Sequence, residues 1–268
     1  MAGKGESLGT VQRVVEVLRH LAERGDTTIK DLSAAIGLVP STCHRMLDLL
    51  VKEGLAEQAG ERRGYHLGPE FFRLAALVNT RQDIRSLARP FLQQVVDACD
   101  ETCVLCLYVP ADRNMIFAEK SDSSQLLRYQ LKLNSPQPVL WGASGRAILA
   151  HLPREDRRRI YEEAEDAPAS HEKRPPLEEL EAELSAIRAR GYAVSHGQKI
   201  AGAVGINSAV FNAAGAVVGS LGVTVPQQRM VATDEAKLGL LVRQHAAALS
   251  HALGAPLSKP AENEIIPA

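Results

Sequence analysis

Apolar residues return every three or four positions through the first part of the chain, and each run is closed by a turn signal. Val11, Val14, Val15, Leu18 and Leu21 share one stripe, which predicts an amphipathic helix over 7–23. Arg24-Gly25-Asp26 interrupts it. Thr27-Thr28 can cap a second helix whose buried face is Ile29, Leu32, Ala35 and Ile36, and Gly37 follows where a short turn needs a residue that tolerates positive φ. Pro40 opens a third helix, since proline in a first turn gives up only an N–H that would have had no partner. Cys43, Met46, Leu47 and Leu50 form its apolar face, and Gly54 ends it. Three short helices with a tight turn between the second and third make the helix-turn-helix pattern.

The period then changes. Residues 55–58 and 63–67 read as two β segments around Ala59-Gly60-Glu61, a hairpin wing with Arg62 and Arg63 near its tip. Pro69 begins another helix, 70–81, with Phe71, Leu74, Leu77 and Val78 on one side, and this helix is the semi-rigid joint between the two halves. Beyond it, helices are expected over 83–99, 144–152, 154–163, 176–190 and 233–253. Strands are expected over 102–109, 115–119, 126–131, 192–195, 204–211 and 217–225. That order predicts an α/β domain with an antiparallel sheet at its centre and helices packed around it. The chain thus reads as a winged helix-turn-helix domain (1–68), a linker helix (69–82), a larger α/β domain (83–253) and a polar, proline-containing, flexible tail (254–268).

Composition narrows the class. A hydrophobic fraction of 45% and a charged fraction of 24% suit a globular protein. No apolar run reaches the roughly 18 to 20 residues of a membrane span, and the short polar start lacks a signal core, so a cytoplasmic protein with no membrane contact is expected. The net charge of −1 excludes a uniformly basic coat, and in residues 1–80 ten Lys or Arg cancel ten Asp or Glu. Attraction to DNA would have to come from a local arrangement of charge. Cys99, Cys103 and Cys106 cluster, but zinc wants four ligands and no further Cys or His lies close in sequence. Around this cluster 102–109 reads as a strand, where Cys is a common small core residue, so neither metal nor cofactor is expected.

The third helix carries the strongest chemical signal. With its apolar face buried, Ser41, Thr42, His44, Arg45 and Asp48 face outward. A helix of this kind can enter the major groove and place its first residues on base edges, with serine and threonine suited to phosphate or base and arginine to phosphate or guanine.

Here the chain resembles the IclR family of one-component transcription regulators over residues 7–253. The matching stretches are Asp31-Leu-Ser-Ala-Ala-Ile-Gly-Leu, Ser41-Thr-Cys-His-Arg-Met-Leu, Gly64-Tyr-His-Leu-Gly68, Gly142-Ala-Ser-Gly-Arg-Ala-Ile-Leu-Ala, Arg190-Gly-Tyr, and Val217-Val-Gly-Ser-Leu-Gly-Val-Thr-Val-Pro226. Their order and spacing carry the resemblance. It implies a GAF-like effector-binding domain, a homodimer or dimer of dimers, and a double-stranded operator with an inverted repeat. Carried over by position, it implies an effector pocket containing Ala143, Ser144, Ser195, Gly205, Gly222 and Thr224, where amides at a helix start hold a carboxylate. Gln198 stands where the family usually has Glu, and Gly205 and Gly222 suggest room for a bulkier effector such as an aromatic acid.

Enzymatic readings lack support in the motifs. Ala143-Ser-Gly145 is not the Gly-x-Ser-x-Gly elbow, no Walker or dinucleotide fingerprint occurs, and His151, His171 and His196 read as solvated. Trp141, the single tryptophan, reads as packing near the sheet edge or as a wall of the pocket mouth. The expectation is a ligand-controlled repressor of a catabolic operon. The rivals are a winged-helix protein-interaction module and, further off, a hydrolase using Ser144.

Overall fold

The computed structural model describes residues 9–59, 64–81, 83–230 and 232–256, and the chain divides into two compact units, Met1–Asp83 and Ile84–Ala268. In the first, α1 (Thr10–Arg24), α2 (Ile29–Ile36) and α3 (Pro40–Lys52) bury Val17, Leu21, Leu32, Cys43, Met46, Leu47 and Leu50 in one core. Val17, which the sequence stripe left out, is fully buried, while Val11 and Val15 are exposed. The first helix is therefore turned by part of a turn from its expected face.

A short strand β1 (Thr27–Thr28) pairs with β3 (Gly64–Leu67), and β3 pairs with β2 (Ala56–Ala59), giving an antiparallel sheet of order β1-β3-β2. Thr28 ends that strand and caps α2 at once. Its Oγ1 accepts from the Asp31 amide at 3.2 Å and donates to the Asp31 carboxylate at 2.7 Å, satisfying an amide the helix would leave unpaired. The wing tip, with Arg62 and Arg63, lies outside the described residues. Helix α4 (Glu70–Arg81) closes this unit.

The second unit is a six-stranded antiparallel sheet of order β6-β5-β4-β9-β8-β7. Its strands are β4 (Thr102–Val109), β5 (Asn114–Ser121), β6 (Pro136–Pro138), β7 (Ala193–His196), β8 (Ala203–Phe211) and β9 (Val217–Pro226). Side chains alternate across it. Cys103 and Leu105 of β4 pack beneath α5 (Ile84–Cys99) and α9 (Ala232–Ala252). Val104 and Cys106 face the opposite layer, which holds α6 (Gly142–Leu149), α7 (Arg154–Glu163) and α8 (Leu177–Arg190). The sheet is thus covered on both faces, with a separate apolar cluster on each side.

One expected strand is absent. Residues 126–131 form no strand, and Leu126 is fully solvent-exposed; instead β6 pairs with β5 at the sheet edge. Two of the three residues of β6 are prolines, which a sheet accepts only where the missing N–H faces no partner strand. No described helix is long and apolar enough to cross a membrane.

Candidate functional site

Two regions collect the residues singled out from the sequence, one in each unit. On α3, Ser41, His44 and Arg45 are exposed and Thr42 is half-buried. Pro40 sits in the first turn, and the amides of Thr42 and Cys43 both donate to the Val39 carbonyl, so the helix begins at its polar face. His44 Nδ1 lies 2.8 Å from Asp48 Oδ2 one turn on. Arg45 makes no ion pair or hydrogen bond with any described residue, so its five donors remain available to an outside acceptor. On α4, Phe71 is half-buried, Leu74 and Leu77 are exposed, and the side chain of Val78 lies outside the described residues. Phe72, which the sequence reading passed over, is 80% exposed.

The second region is a cavity where the start of α6 faces the sheet. Ser195, Gly205 and Thr224 form one row across β7, β8 and β9, paired Ser195 to Gly205 and Gly205 to Thr224. All three line the cavity together with Gly142, Ala143 and Ser144. Its volume is about 40 Å³. The free amides expected at the helix start are already taken, that of Gly142 by Gln198 Oε1 at 3.0 Å and that of Ala143 by Ser195 Oγ at 2.7 Å. Gln198 thus acts here as a neutral cap on the helix.

Two residues that sequence reasoning missed dominate the interior. Lys199 is half-buried, and its amine lies 3.1 Å from Ser144 Oγ and 3.5 Å from Met115 Sδ. No carboxylate is among the cavity's lining residues. Desolvation pushes the Lys199 pKa down from 10.5 to about 7. Asn207, 3% exposed and on the cavity wall, leaves its Nδ2 buried with no hydrogen-bond partner. An unsatisfied buried donor of this kind costs about 1–3 kcal/mol. The only trace of either residue in the sequence was a lysine beside Gln198 in an otherwise small and apolar stretch.

Other expectations need correction. Gly222 does not line the cavity, and it leaves no space for a ligand. A Cβ there would stand 2.1 Å from the Ile206 carbonyl oxygen and 2.3 Å from Asn207 Cγ, so the missing side chain is what admits the Asn207 carboxamide. Gly205 does face the cavity, where a Cβ would meet Ser195 Oγ at 3.3 Å and Ala143 Cβ at 3.4 Å. Gly142 takes φ +71 and passes under the Lys199 stem, which a Cβ would meet at 3.0 Å. Trp141 is buried packing and does not line this cavity, and its Nε1 donates to the Glu165 carbonyl at 2.9 Å. His151 is half-buried, edge-on to Phe211, and burial lowers its pKa, with Arg188 adding to the shift.

The cysteines are unsuited to nucleophilic work. Cys103 and Cys106 face opposite sides of the sheet, and burial raises both, Cys106 to about 11. Ser144 Oγ beside Lys199 Nζ has the spacing of a serine–lysine pair. The helix-start amides that could hold an oxyanion, however, are occupied by Ser195 and Gln198.

Comparison with known proteins gives one consistent result. Residues 76–251 match the family described as bacterial transcriptional regulator IclR C-terminal, and residues 10–60 match the IclR helix-turn-helix domain. The HTH-type transcriptional regulator BhcR of Paracoccus denitrificans is 26% identical over 220 residues, covering 82% of this chain and 78% of the relative. Among solved structures, the Agobacterium tumefaciens repressor BlcR superposes with a TM-score of 0.76 at 24% identity, covering 92% of this chain and 97% of that one. An IclR homologue from Microbacterium hydrocarbonoxydans, complexed with 4-hydroxybenzoate, gives 0.56 at 23% identity over 91% and 99%. Both superpositions show the fold.

Proposed function

Because the chain belongs to the IclR family, whose members are DNA-binding regulators controlled by effectors and not enzymes, we propose that it represses its target from an inverted-repeat operator and is released by an organic acid held beneath α6. The observation that carries this reading is the lining of that cavity, which offers the Lys199 amine, an unpaired amide donor and three hydroxyls (Ser144, Ser195, Thr224) but no carboxylate. Such a surface favours an anion. The BlcR neighbour is a repressor, and the Microbacterium homologue holds a carboxylic acid. An operator selected from random duplexes, titrated with and without acids, tests the reading. It fails if no organic acid changes operator affinity.

In this reading α3 enters the major groove, with Ser41, Thr42 and His44 near phosphates and base edges and Arg45 on a guanine. Arg62 and Arg63 on the wing hold phosphates. Arg45→Ala is then expected to weaken operator binding by about 1–3 kcal/mol while the fold is kept, and to relax specificity at one position of the site. Equal affinity of wild type and variant in fluorescence anisotropy would remove Arg45 from the interface. The rival reading, a winged helix that binds only proteins, requires in addition that wild type shows no sequence preference among duplexes.

Reading an inverted repeat takes two heads, and Phe71, Leu74, Leu77 and Val78 of α4 form the face that joins them in a homodimer or dimer of dimers. Leu74 is 39% exposed in the single chain, which suits a residue awaiting a partner surface. Leu74→Asp is expected to give monomers in sedimentation velocity and at least a tenfold loss of operator affinity (about 1.4 kcal/mol). A fully dimeric variant with normal binding would assign the pairing to another surface.

A further inference from the structure

Lys199 lines the cavity beneath α6 and forms no ion pair with any described residue. No carboxylate is among the lining residues, and the one titratable neighbour that acts on the amine is Cys106. Its Nζ meets Ser144 Oγ at 3.1 Å and Met115 Sδ at 3.5 Å. A charge so placed loses hydration and gains no counter-ion in return. Desolvation brings the pKa to about 7, so about half of the amine is free base at pH 7. An ordinary lysine, titrating near about 10.4, is free base in fewer than about one molecule in a thousand at that pH. A desolvated lysine of this kind is the amine that attacks carbonyl carbon.

Size selects the carbonyl compound. The cavity holds about 40 Å³. A water takes about 10–15 Å³ and benzene roughly 150 Å³, so there is room for about three non-hydrogen atoms and none for a ring. Gln198, Lys199 and Ile200, among the lining residues, are half-buried, which leaves a small solute a way in. We propose that Lys199 is a covalent acceptor for a short aliphatic aldehyde, whose carbonyl carbon is attacked by Nζ while Ser144 Oγ relays the proton. The N–C bond forms as the carbonyl π pair moves to oxygen. Nζ then gives a proton to the Ser144 oxygen, which passes its own to the new alkoxide, leaving a neutral carbinolamine. Departure of the hydroxyl with the second amine proton, as water, gives an imine. No oxidant or reductant is consumed, and addition of water reverses the reaction. The imine carries no charge, so a site that penalises an ammonium does not penalise it. This chemistry goes beyond the organic-acid reading and does not depend on it.

The pH dependence belongs to the amine. Of the groups packed around it, Cys106 of β4 has its thiol raised by burial to about 11 and stays neutral. Ser144 of α6, Met115 of β5, Ser195 of β7, Asn207 of β8 and Thr224 of β9 do not titrate near neutrality. The guanidinium of Arg146 on α6 is turned to Glu183 and the Leu140 carbonyl. On the loop side, Glu172 is engaged by Gln198 Nε2 at 3.2 Å, and Tyr129 donates to the Ala201 carbonyl at 3.1 Å. His196 is exposed and lies 2.8 Å from Glu235. With a pKa of about 7, the free-base fraction of Lys199 rises about tenfold from pH 6 to pH 8 and levels off by pH 9. An exposed lysine gains about tenfold with every pH unit of that range.

The test treats the full-length protein with acetaldehyde, or with benzaldehyde as the oversized control, and stops each reaction with borohydride, which reduces an imine to a stable secondary amine. Peptide mass mapping then reads each of the nine lysines. Acetaldehyde is expected to mark Lys199 at least tenfold faster than any other lysine at pH 7, and benzaldehyde to spare it. The initial rate at Lys199 should rise about tenfold from pH 6 to pH 8 and then level off. Ser144→Ala should slow the marking at least tenfold while keeping its final extent, which a loss of packing would not do; an unchanged rate removes the relay. The assignment of Lys199 is overturned in wild type, without recourse to any variant, by marking no faster than at other lysines, by a rate that climbs tenfold per unit through pH 9, or by equal marking with benzaldehyde. Operator binding with organic acids, measured separately, keeps the two readings apart. Acids that shift the operator affinity of a protein whose Lys199 resists marking uphold the organic-acid reading alone. Marking of Lys199 in a protein unresponsive to acids upholds the imine alone.

Discussion

Replacing Gly222 by leucine is expected to destroy the packing of the C-terminal domain instead of filling its cavity. The Cβ alone would stand 2.1 Å from the Ile206 carbonyl oxygen and within 2.4 Å of both Cγ and Nδ2 of Asn207. Backbone of the neighbouring strand cannot yield without breaking the β8–β9 pairing, which runs unbroken in register from Ala203–Pro226 to Val210–Gly219. Overpacking of a core by itself costs about 1–3 kcal/mol, and separating two central strands adds to it, so a loss on the order of 4 kcal/mol or more follows. Gly205→Ala is the instructive partner. Its Cβ meets Ser195 Oγ at 3.3 Å and Ala143 Cβ at 3.4 Å, both side-chain atoms at the cavity wall, and the nearest backbone atom, Ala143 N, only at 3.9 Å. That variant should fold with a melting temperature close to wild type while losing affinity for any acid in the cavity. Thermal unfolding of the two variants separates the cases, and a Gly222→Leu protein that melts like wild type would contradict the close approach.

Gly222 also shows where the sequence stops being informative. A glycine on a strand signals either open space or a near neighbour, and the two look alike until the register is known. Helices α2 and α3 were legible because their buried faces repeat at helical spacing and their ends carry Thr28, Gly37 and Pro40. The edge strand β6 was not, since Pro136 and Pro138 argue against a strand everywhere but at an edge, while the apolar 126–131 segment imitates one. For the cavity, Ala143, Ser144, Ser195, Gly205 and Thr224 came from the family resemblance and do line it. Lys199 left only the trace of a lysine beside Gln198, and Asn207 left none. For Lys199 the signal is desolvation without a carboxylate among the cavity's lining residues, for Asn207 a missing acceptor, and both are properties of the folded neighbourhood alone.

That neighbourhood makes Lys199 a stability determinant with a predictable pH signature. In the folded chain its pKa is about 7, against an ordinary 10.5. Below about pH 7 both folded and unfolded chains carry the proton, and the folded state bears the whole cost of the buried charge. Between about pH 7 and 10.5 the unfolded chain holds a proton that the folded chain has shed, so the unfolded state binds more protons and stability rises with pH. Each pH unit in that window contributes about 1.4 kcal/mol. Lys199→Met removes the charge and keeps most of the volume, so the variant should be more stable than wild type at pH 6.5 by up to several kcal/mol. Its advantage should shrink by about 2 kcal/mol on going to pH 8.5. Comparing the two proteins cancels His151, whose depressed pKa acts at lower pH, and the buried cysteines, whose raised values act above pH 8.5 in both. Urea unfolding of the full-length proteins at half-unit steps of pH measures the difference. Two stability curves that stay parallel from pH 6.5 to 8.5 would mean that the Lys199 amine reaches solvent, and the anion site built on it would go with it.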